Sequence, residues 1–115
     1  IWRSQWRLDL PHAYRPRFAL ATPKGAAVFL DEWINIRSPL AIMVIGPDGR
    51  GVAVTHVDAV FQLLGVPGSD VVAVARYGVW MQAPPVLSAD HQQVEVRTAG
   101  KVLRVRLSDG ALSLA

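Results

Sequence analysis

The sequence predicts an α+β domain: an antiparallel or mixed sheet of about six strands, two helices packed against it, and a C-terminal β-meander. Segments with a period of two, typical of half-buried strands, occupy both ends of the chain. Between them, two segments carry apolar residues at the spacing of an amphipathic helix. We expect residues 1–115 to form a single domain excised from a larger protein, since the chain begins at Ile1 rather than at methionine.

Composition excludes several classes of function. The chain contains no cysteine, which excludes a disulfide framework and thiolate chemistry. It is 51% hydrophobic and 18% charged, as a globular domain is and a disordered one is not. No apolar run approaches the ~18–20 residues of a membrane span, and no signal-peptide pattern follows the first residue. We therefore expect a cytoplasmic protein without a membrane span.

The opening stretch, IWRSQWRLDL, predicts a strand because polar and apolar side chains alternate along it. Trp2 and Trp6 share a face with two leucines, and we expect this face to pack on the core. Arg3 and Arg7 lie on the other face, where charges on an edge strand prevent unwanted pairing. In the alternative interpretation, the two tryptophans form an exposed platform for a partner or for nucleic-acid bases.

After a turn at PHAYRP and an extended piece at RFALA, residues 22–35 predict the first helix. Thr22 can cap it, and Pro23 suits its first position. We expect Trp33 to lie in the core with the rest of the apolar helix face. That face consists of Ala26, Phe29, Leu30, Trp33 and Ile34.

Residues 40–45, LAIMVI, are apolar on both faces and predict a central strand covered on both sides. The turn GPDGRG, in which Gly49 accepts a positive φ, joins this strand to GVAVT as a hairpin. A second helix is predicted over THVDAVFQLLG, with Thr55 and Asp58 as a capping box and Gly65 as its end. Its apolar stripe consists of Val57, Val60, Phe61 and Leu64.

The rest of the chain is predicted to be sheet. VVAVARYGVWMQ is typical of one long strand, or two joined at Gly78, with Trp80 in the core. The tail predicts a three-stranded meander with turns at Ala99-Gly100 and Asp109-Gly110. Its inward face consists of Val94, Val96, Leu103, Val105 and Leu107. Opposite charges attract weakly across its outward face, which carries Glu95, Arg97, Arg104 and Arg106.

No constellation of residues indicates catalysis, so we predict that the domain is not an enzyme and holds no metal or cofactor. The histidines, His12, His56 and His91, share no metal-ligand spacing, and none of the six serines lies in a nucleophile-elbow motif. Residues 65–68, GVPG, have the spacing of a Gly-x-x-Gly loop that clamps RNA. Such a loop should lead into a helix, and the sequence predicts a strand there.

Positive charge is concentrated at the two ends of the chain. Residues 1–24 carry five cationic side chains and one acidic side chain. Residues 25–90 carry three cations and six acids, and residues 91–115 carry four cations and two acids. If the ends are neighbours in one sheet, they form a single basic face. Ten of the twelve cations are arginines, which suits phosphate recognition, although a GC-rich genome enriches arginine equally. The candidate anion-binding residues are Arg3, Arg7, Arg15, Arg17, Lys101, Arg104 and Arg106.

Three hypotheses of function follow. The first is a non-catalytic interaction or assembly domain, which binds another protein or domain through the N-terminal strand and the adjacent basic sheet face, with Trp2 and Trp6 as candidate partner contacts. The alternative is a nucleic-acid-binding module, in which the N-terminal arginines hold phosphates and the 94–107 hairpin is a basic wing. The third is a small-molecule or hydrolytic site. Its residues would be His56, Asp58 and Tyr77.

Overall fold

The computed structural model describes residues 10–33 and 36–115, and the class is α+β as predicted. The strands form two four-stranded antiparallel sheets rather than one sheet of about six. The N-terminal sheet has the order β1-β2-β3-β4 and the C-terminal sheet the order β5-β6-β7-β8. The elements are β1 Pro16–Ala21, β2 Ala27–Glu32, β3 Ile42–Ile45, β4 Gly51–Thr55, α1 Val57–Leu64, α2 Gly68–Val74, β5 Val86–Leu87, β6 Gln93–Thr98, β7 Lys101–Arg106 and β8 Leu112–Leu114.

The helix predicted over residues 22–35 is wrong, because the described part of this segment forms a turn and the strand β2. The Gly25 amide donates to the Thr22 carbonyl at 3.0 Å, and Gly25 has a φ of 94°, so the chain reverses between β1 and β2. β2 is buried on both faces, with Val28 and Leu30 in the larger core cluster and Ala27 on the opposite face. Periodicity cannot distinguish such a strand from a buried helix, since both show a continuous apolar run.

The strand predicted over VVAVARYGVWMQ is also wrong, because its first residues belong to α2. In the rest of this segment, Tyr77 and Met81 pair as an isolated antiparallel bridge. Pro67 precedes α2 and Asp70 lies in its first turn, and both are signals of a helix start that the run of valines obscured. Trp80 is fully buried in the core, as expected.

The central hairpin and the helix after it are as predicted. All four residues of β3 are buried, and Gly49 takes a φ of 83° in the turn. The buried face of α1 consists of the four predicted residues, and Gly65 ends the helix in the left-handed conformation. One detail differs: His56, not Thr55, caps α1, because its Nδ1 accepts a hydrogen bond from the Asp58 amide at 3.0 Å.

The C-terminal meander is confirmed, with β6, β7 and β8 paired in order. Its predicted inward residues are all buried, and they join the larger core cluster with side chains from the N-terminal sheet and both helices. The sheets meet closely where the turn at Gly110 faces β4. A side chain at Gly110 would collide with Ala53, so this position requires glycine.

Within the described ranges, no helix alone has the length and apolarity needed to cross a bilayer. The helices α1 and α2 meet that criterion only as a pair, bent by 98° at the break between them.

Candidate functional site

The predicted anion-binding residues fall into three groups. Arg3 and Arg7, together with Trp2 and Trp6, lie outside the described residues. Arg15 and Arg17 lie at the start of the β1–β2 hairpin, and the remaining three cations lie on β7.

The β7 arginines are already paired with carboxylates of their own sheet. The Nε atom of Arg104 lies 3.4 Å from Oε2 of Glu95 on β6. Arg106 holds Asp109 through two hydrogen bonds of 2.9 and 2.6 Å, and this contact lowers the pKa of Asp109 to about 2. A phosphate group would compete with these carboxylates for the two arginines.

Lys101 also has an intramolecular partner. Its ammonium group donates to the carbonyl of Leu64, the last residue of α1, at 2.8 Å. A cation at this end of a helix satisfies an orphan carbonyl and interacts favourably with the helix dipole. The three β7 cations therefore join parts of the fold together.

The base of the β1–β2 hairpin contains two buried acids, Asp31 and Glu32, at the end of β2. The carboxylate of Glu32 is fully engaged: it accepts from the Ser38 hydroxyl at 2.8 Å and from the Tyr14 amide at 3.1 Å. Asp31 is 0% exposed and has a φ of 58°. Its Oδ2 lies 3.4 Å from Nε of Arg17, whereas its Oδ1 has no hydrogen-bond partner in the described part of the chain.

Arg17 connects the buried acids to the protein surface. Its Nη2 donates to the backbone carbonyl of Glu32 at 3.2 Å, and its guanidinium carbon lies 4.9 Å from the ring centroid of Trp33. The loop that contains Gly78 lies directly against the Arg17–Asp31 pair, and a side chain at this position would collide with the Asp31 carboxylate. Arg17 is thus a largely buried cation that is held by contacts within the fold.

Burial changes the pKa of two groups near this base. Burial raises the pKa of the Asp31 carboxyl, and a hydrogen bond from the Glu32 backbone and the charge of Arg17 offset only part of the effect. Burial also lowers the pKa of His12, against the opposing influence of Glu32. The His12 ring packs edge-on against Phe29, with a centroid distance of 6.2 Å. A buried, incompletely paired carboxyl group is unusual, and such groups are concentrated at functional sites.

Directly beside this base, two large aromatic side chains are exposed. Trp33, which the sequence placed in the core, is 59% exposed, and Tyr14 is 53% exposed. With Ala13 and Arg15 they line an open groove of about 560 Å³. The Trp33 amide donates to the Arg15 carbonyl at 2.9 Å, which fixes the two sides of the groove relative to each other.

Arg15 is the cation that this groove presents to solvent. Its side chain is exposed, and it forms no salt bridge with any acid in residues 10–33 or 36–115. Five of the seven predicted anion-binding residues lie in the described ranges. Among these five, Arg15 is the one whose charged group has no partner there.

The residues of the third hypothesis are engaged in structural contacts. His56 caps α1, Asp58 lies 3.1 Å from the Arg37 guanidinium, and Tyr77 packs edge-on against Phe18. Over the described ranges, no group of three or more histidine and acidic side chains could hold a metal ion.

The sequence argued against an RNA clamp at GVPG because it predicted a strand after this loop. In the structure, the loop leads into the helix α2. That helix, α2, has only seven residues, and the two central loop residues are Val66 and Pro67, which carry no charge. The loop alone therefore does not indicate a phosphate-binding site.

The sequence contained one signal of the site that periodicity did not use. Asp31 and Glu32 interrupt an otherwise apolar run and are followed directly by Trp33. On a helix, these acids would lie on the solvated face; on a strand buried on both sides, at least one must be buried.

No protein-family model, curated protein or solved structure matches this chain.

Proposed function

We propose that this domain is a non-catalytic interaction module, which binds an acidic segment of another protein in the groove formed by Tyr14, Arg15 and Trp33. The observation that carries the proposal is the combination of a tryptophan that is 59% exposed and a fixed arginine behind its ring. Tryptophan, tyrosine and arginine are the residues most enriched at the energetic centres of protein interfaces.

The chemistry of the groove favours a peptide with both apolar and acidic side chains. A tryptophan can bury ~150–250 Å² against a partner, and Trp33 has most of its surface available. Because Arg17 and the backbone contact with Arg15 already restrain Trp33, little conformational freedom remains to be lost on binding. The exposed charge at the groove is that of Arg15, whereas Asp31 and Glu32 are buried. A carboxylate on the partner would therefore meet a cation beside which no acid of the described ranges is exposed.

Selection of binding peptides tests the proposal. We would select peptides from a random phage-displayed library on the immobilised domain and measure their affinity for purified variants. We expect acidic peptides with at least one large apolar residue, and roughly 30-fold weaker binding to Trp33→Ala. Arg15→Glu should weaken binding of the same peptides and favour basic ones.

The control variant is Val86→Ala, which changes a side chain that is 62% exposed on the C-terminal sheet. It should bind the peptides as the wild type does. Selected peptides that bind wild type and Trp33→Ala equally would contradict the proposal.

A nucleic-acid-binding module is the second candidate, because bases stack on exposed aromatic rings beside arginine. This candidate predicts that a single-stranded oligonucleotide binds at ~50 mM salt, far more weakly at ~200 mM, and not to Trp33→Ala. Since Arg104 and Arg106 are paired with carboxylates, their replacement by alanine should change this affinity little. Binding with these properties, in the absence of peptide binding, would replace the first proposal by the second.

A further inference from the structure

The Arg17–Asp31 pair lies between the buried base of the hairpin and the exposed groove. The side chain of Asp31 is 0% exposed and that of Arg17 is 10% exposed. Three features hold them in place: the 3.4 Å contact between them, the bond from Arg17 to the Glu32 carbonyl, and the close approach of Gly78. The guanidinium carbon of Arg17 then lies over the Trp33 ring, 4.9 Å from its centroid.

We infer that Asp31 is a positioning residue for the binding groove: it fixes the Arg17 guanidinium against Trp33, and it does so at a cost in folding stability. This inference rests on the proposed function, since it assigns a role within the same groove. Asp31 does not line the groove itself and acts through Arg17.

The cost in stability follows from the surroundings of the carboxylate. A buried ion pair repays the loss of hydration only when its geometry is good and its remaining lone pairs are satisfied. Neither condition holds at Asp31: the contact with Arg17 is long, at 3.4 Å, and Oδ1 has no hydrogen-bond partner in the described residues. The backbone adds strain, since φ is 58° at a residue other than glycine. A neutral side chain of the same shape would avoid the loss of hydration of the carboxylate, while Arg17 keeps the Glu32 carbonyl as a partner.

The benefit is a fixed ring. An arginine over one face of an indole attracts the ring, provided that the guanidinium is held in that position. Without the carboxylate, Arg17 loses one of the contacts that hold it over the ring, and the ring is held less firmly in one orientation. Binding of a partner to Trp33 would then require the ring to be ordered at that moment.

Asp31→Asn separates these two effects, and Glu95→Gln is its matched control. The Glu95–Arg104 pair has the same 3.4 Å distance between Nε and carboxylate oxygen, but both side chains are partly exposed and lie in the other sheet. We would measure the midpoint of urea unfolding, the affinity for a peptide selected on the wild type, and the NMR signal of the Trp33 indole N–H.

We expect Asp31→Asn to unfold at the same or a higher urea concentration than the wild type. It should bind the peptide roughly 3- to 30-fold more weakly and shift the Trp33 indole signal. Glu95→Gln should leave all three quantities nearly unchanged. Arg17→Lys, which keeps the charge but loses the planar group, should weaken binding in the same range.

Two outcomes would overturn the inference. Unchanged peptide binding by Asp31→Asn would show that the carboxylate does not position the groove. A clear loss of stability together with binding would show that Asp31 is an ordinary structural residue. The proposed function is tested separately. It fails if Trp33→Ala binds the selected peptides as the wild type does, whatever the result for Asp31→Asn.

Discussion

The two sheets of this domain place the same kind of ion pair in different surroundings, one buried and one exposed. In each sheet an arginine Nε lies 3.4 Å from a carboxylate oxygen on the neighbouring strand. In the C-terminal sheet the side chains of Arg104 and Glu95 are 43% and 38% exposed, so water solvates both charges. In the N-terminal sheet the side chains of Arg17 and Asp31 are 10% and 0% exposed. The distance is identical, and the surroundings differ.

The comparison shows that the pair distance alone does not give the energy of an ion pair. The exposed pair contributes between about 0 and 1 kcal/mol, and its loss would matter little. The buried pair has lost its hydration, and the attraction between the charges need not compensate for that loss. A protein that places such a pair beside an exposed tryptophan departs from the rules that stabilise its other sheet. Departures of this kind are characteristic of functional sites.

The largest expected difference between the sheets concerns two glycines with similar backbone angles. Gly78 has a φ of 67° and Gly100 a φ of 73°. Alanine at Gly100 meets no atom within 4 Å and should cost only the backbone strain, about 1 kcal/mol. Alanine at Gly78 would collide with the Asp31 carboxylate and should cost about 3 kcal/mol or more. Urea unfolding measures both, and equal losses would show that the Gly78 loop does not lie against the ion pair.

A smaller difference is expected between two serines that donate to carboxylates. The Ser38 hydroxyl donates to Glu32 at 2.8 Å in a buried site, and the Ser88 hydroxyl donates to Asp90 at 2.7 Å in an exposed turn. Ser38→Ala leaves a buried carboxylate oxygen unpaired and should cost about 2 kcal/mol. Ser88→Ala should cost less than about 1 kcal/mol, because water replaces the hydroxyl. Unfolding free energies of the two variants decide the point, and a larger loss for Ser88→Ala would contradict this assignment.

The smallest difference concerns pH, where two aspartates should act with opposite sign. The pKa of Asp109 is lowered to about 2 by Arg106, so its stabilising contribution is present above pH 4 and is lost as the pH falls from about 4 to about 2. The pKa of Asp31 is raised, so the folded state binds more protons than the unfolded one. Its ionisation therefore costs stability as the pH rises above about 4.

Urea unfolding between pH 2 and pH 7 tests these signs. Relative to the wild type, Asp109→Asn should be less stable at neutral pH and equally stable near pH 2. Asp31→Asn should match the wild type at low pH and become relatively more stable as the pH rises. The same sign for both variants would refute the contrast between the sheets.

The sequence predicted the C-terminal sheet better than the N-terminal one, for a physical reason. The meander has one buried and one solvated face, so alternation identified its inward residues and placed Glu95 on the same outward face as Arg104, with which it pairs. β2 is buried on both faces, and its unbroken apolar run also fits a helix. That ambiguity placed Trp33 in the core.

The candidate site could be predicted only in part. Arg15 was identified as a candidate, but charge alone could not distinguish it from Arg17, which is buried against Asp31. Nor could the sequence show that Arg106 is paired with Asp109, because that contact depends on the turn between β7 and β8. Exposure and pairing are properties of the folded chain: among the described candidates, Arg15 is the exposed arginine without a carboxylate partner, and it lies beside two aromatic rings.

The most direct test of the account is an NMR titration of the ¹⁵N-labelled domain with a peptide selected on it. We expect the largest chemical-shift changes at Tyr14, Arg15 and Trp33, with the C-terminal sheet nearly unaffected. Changes concentrated around Glu95 and Arg104, with Trp33 unmoved, would contradict it and would place binding on the other sheet.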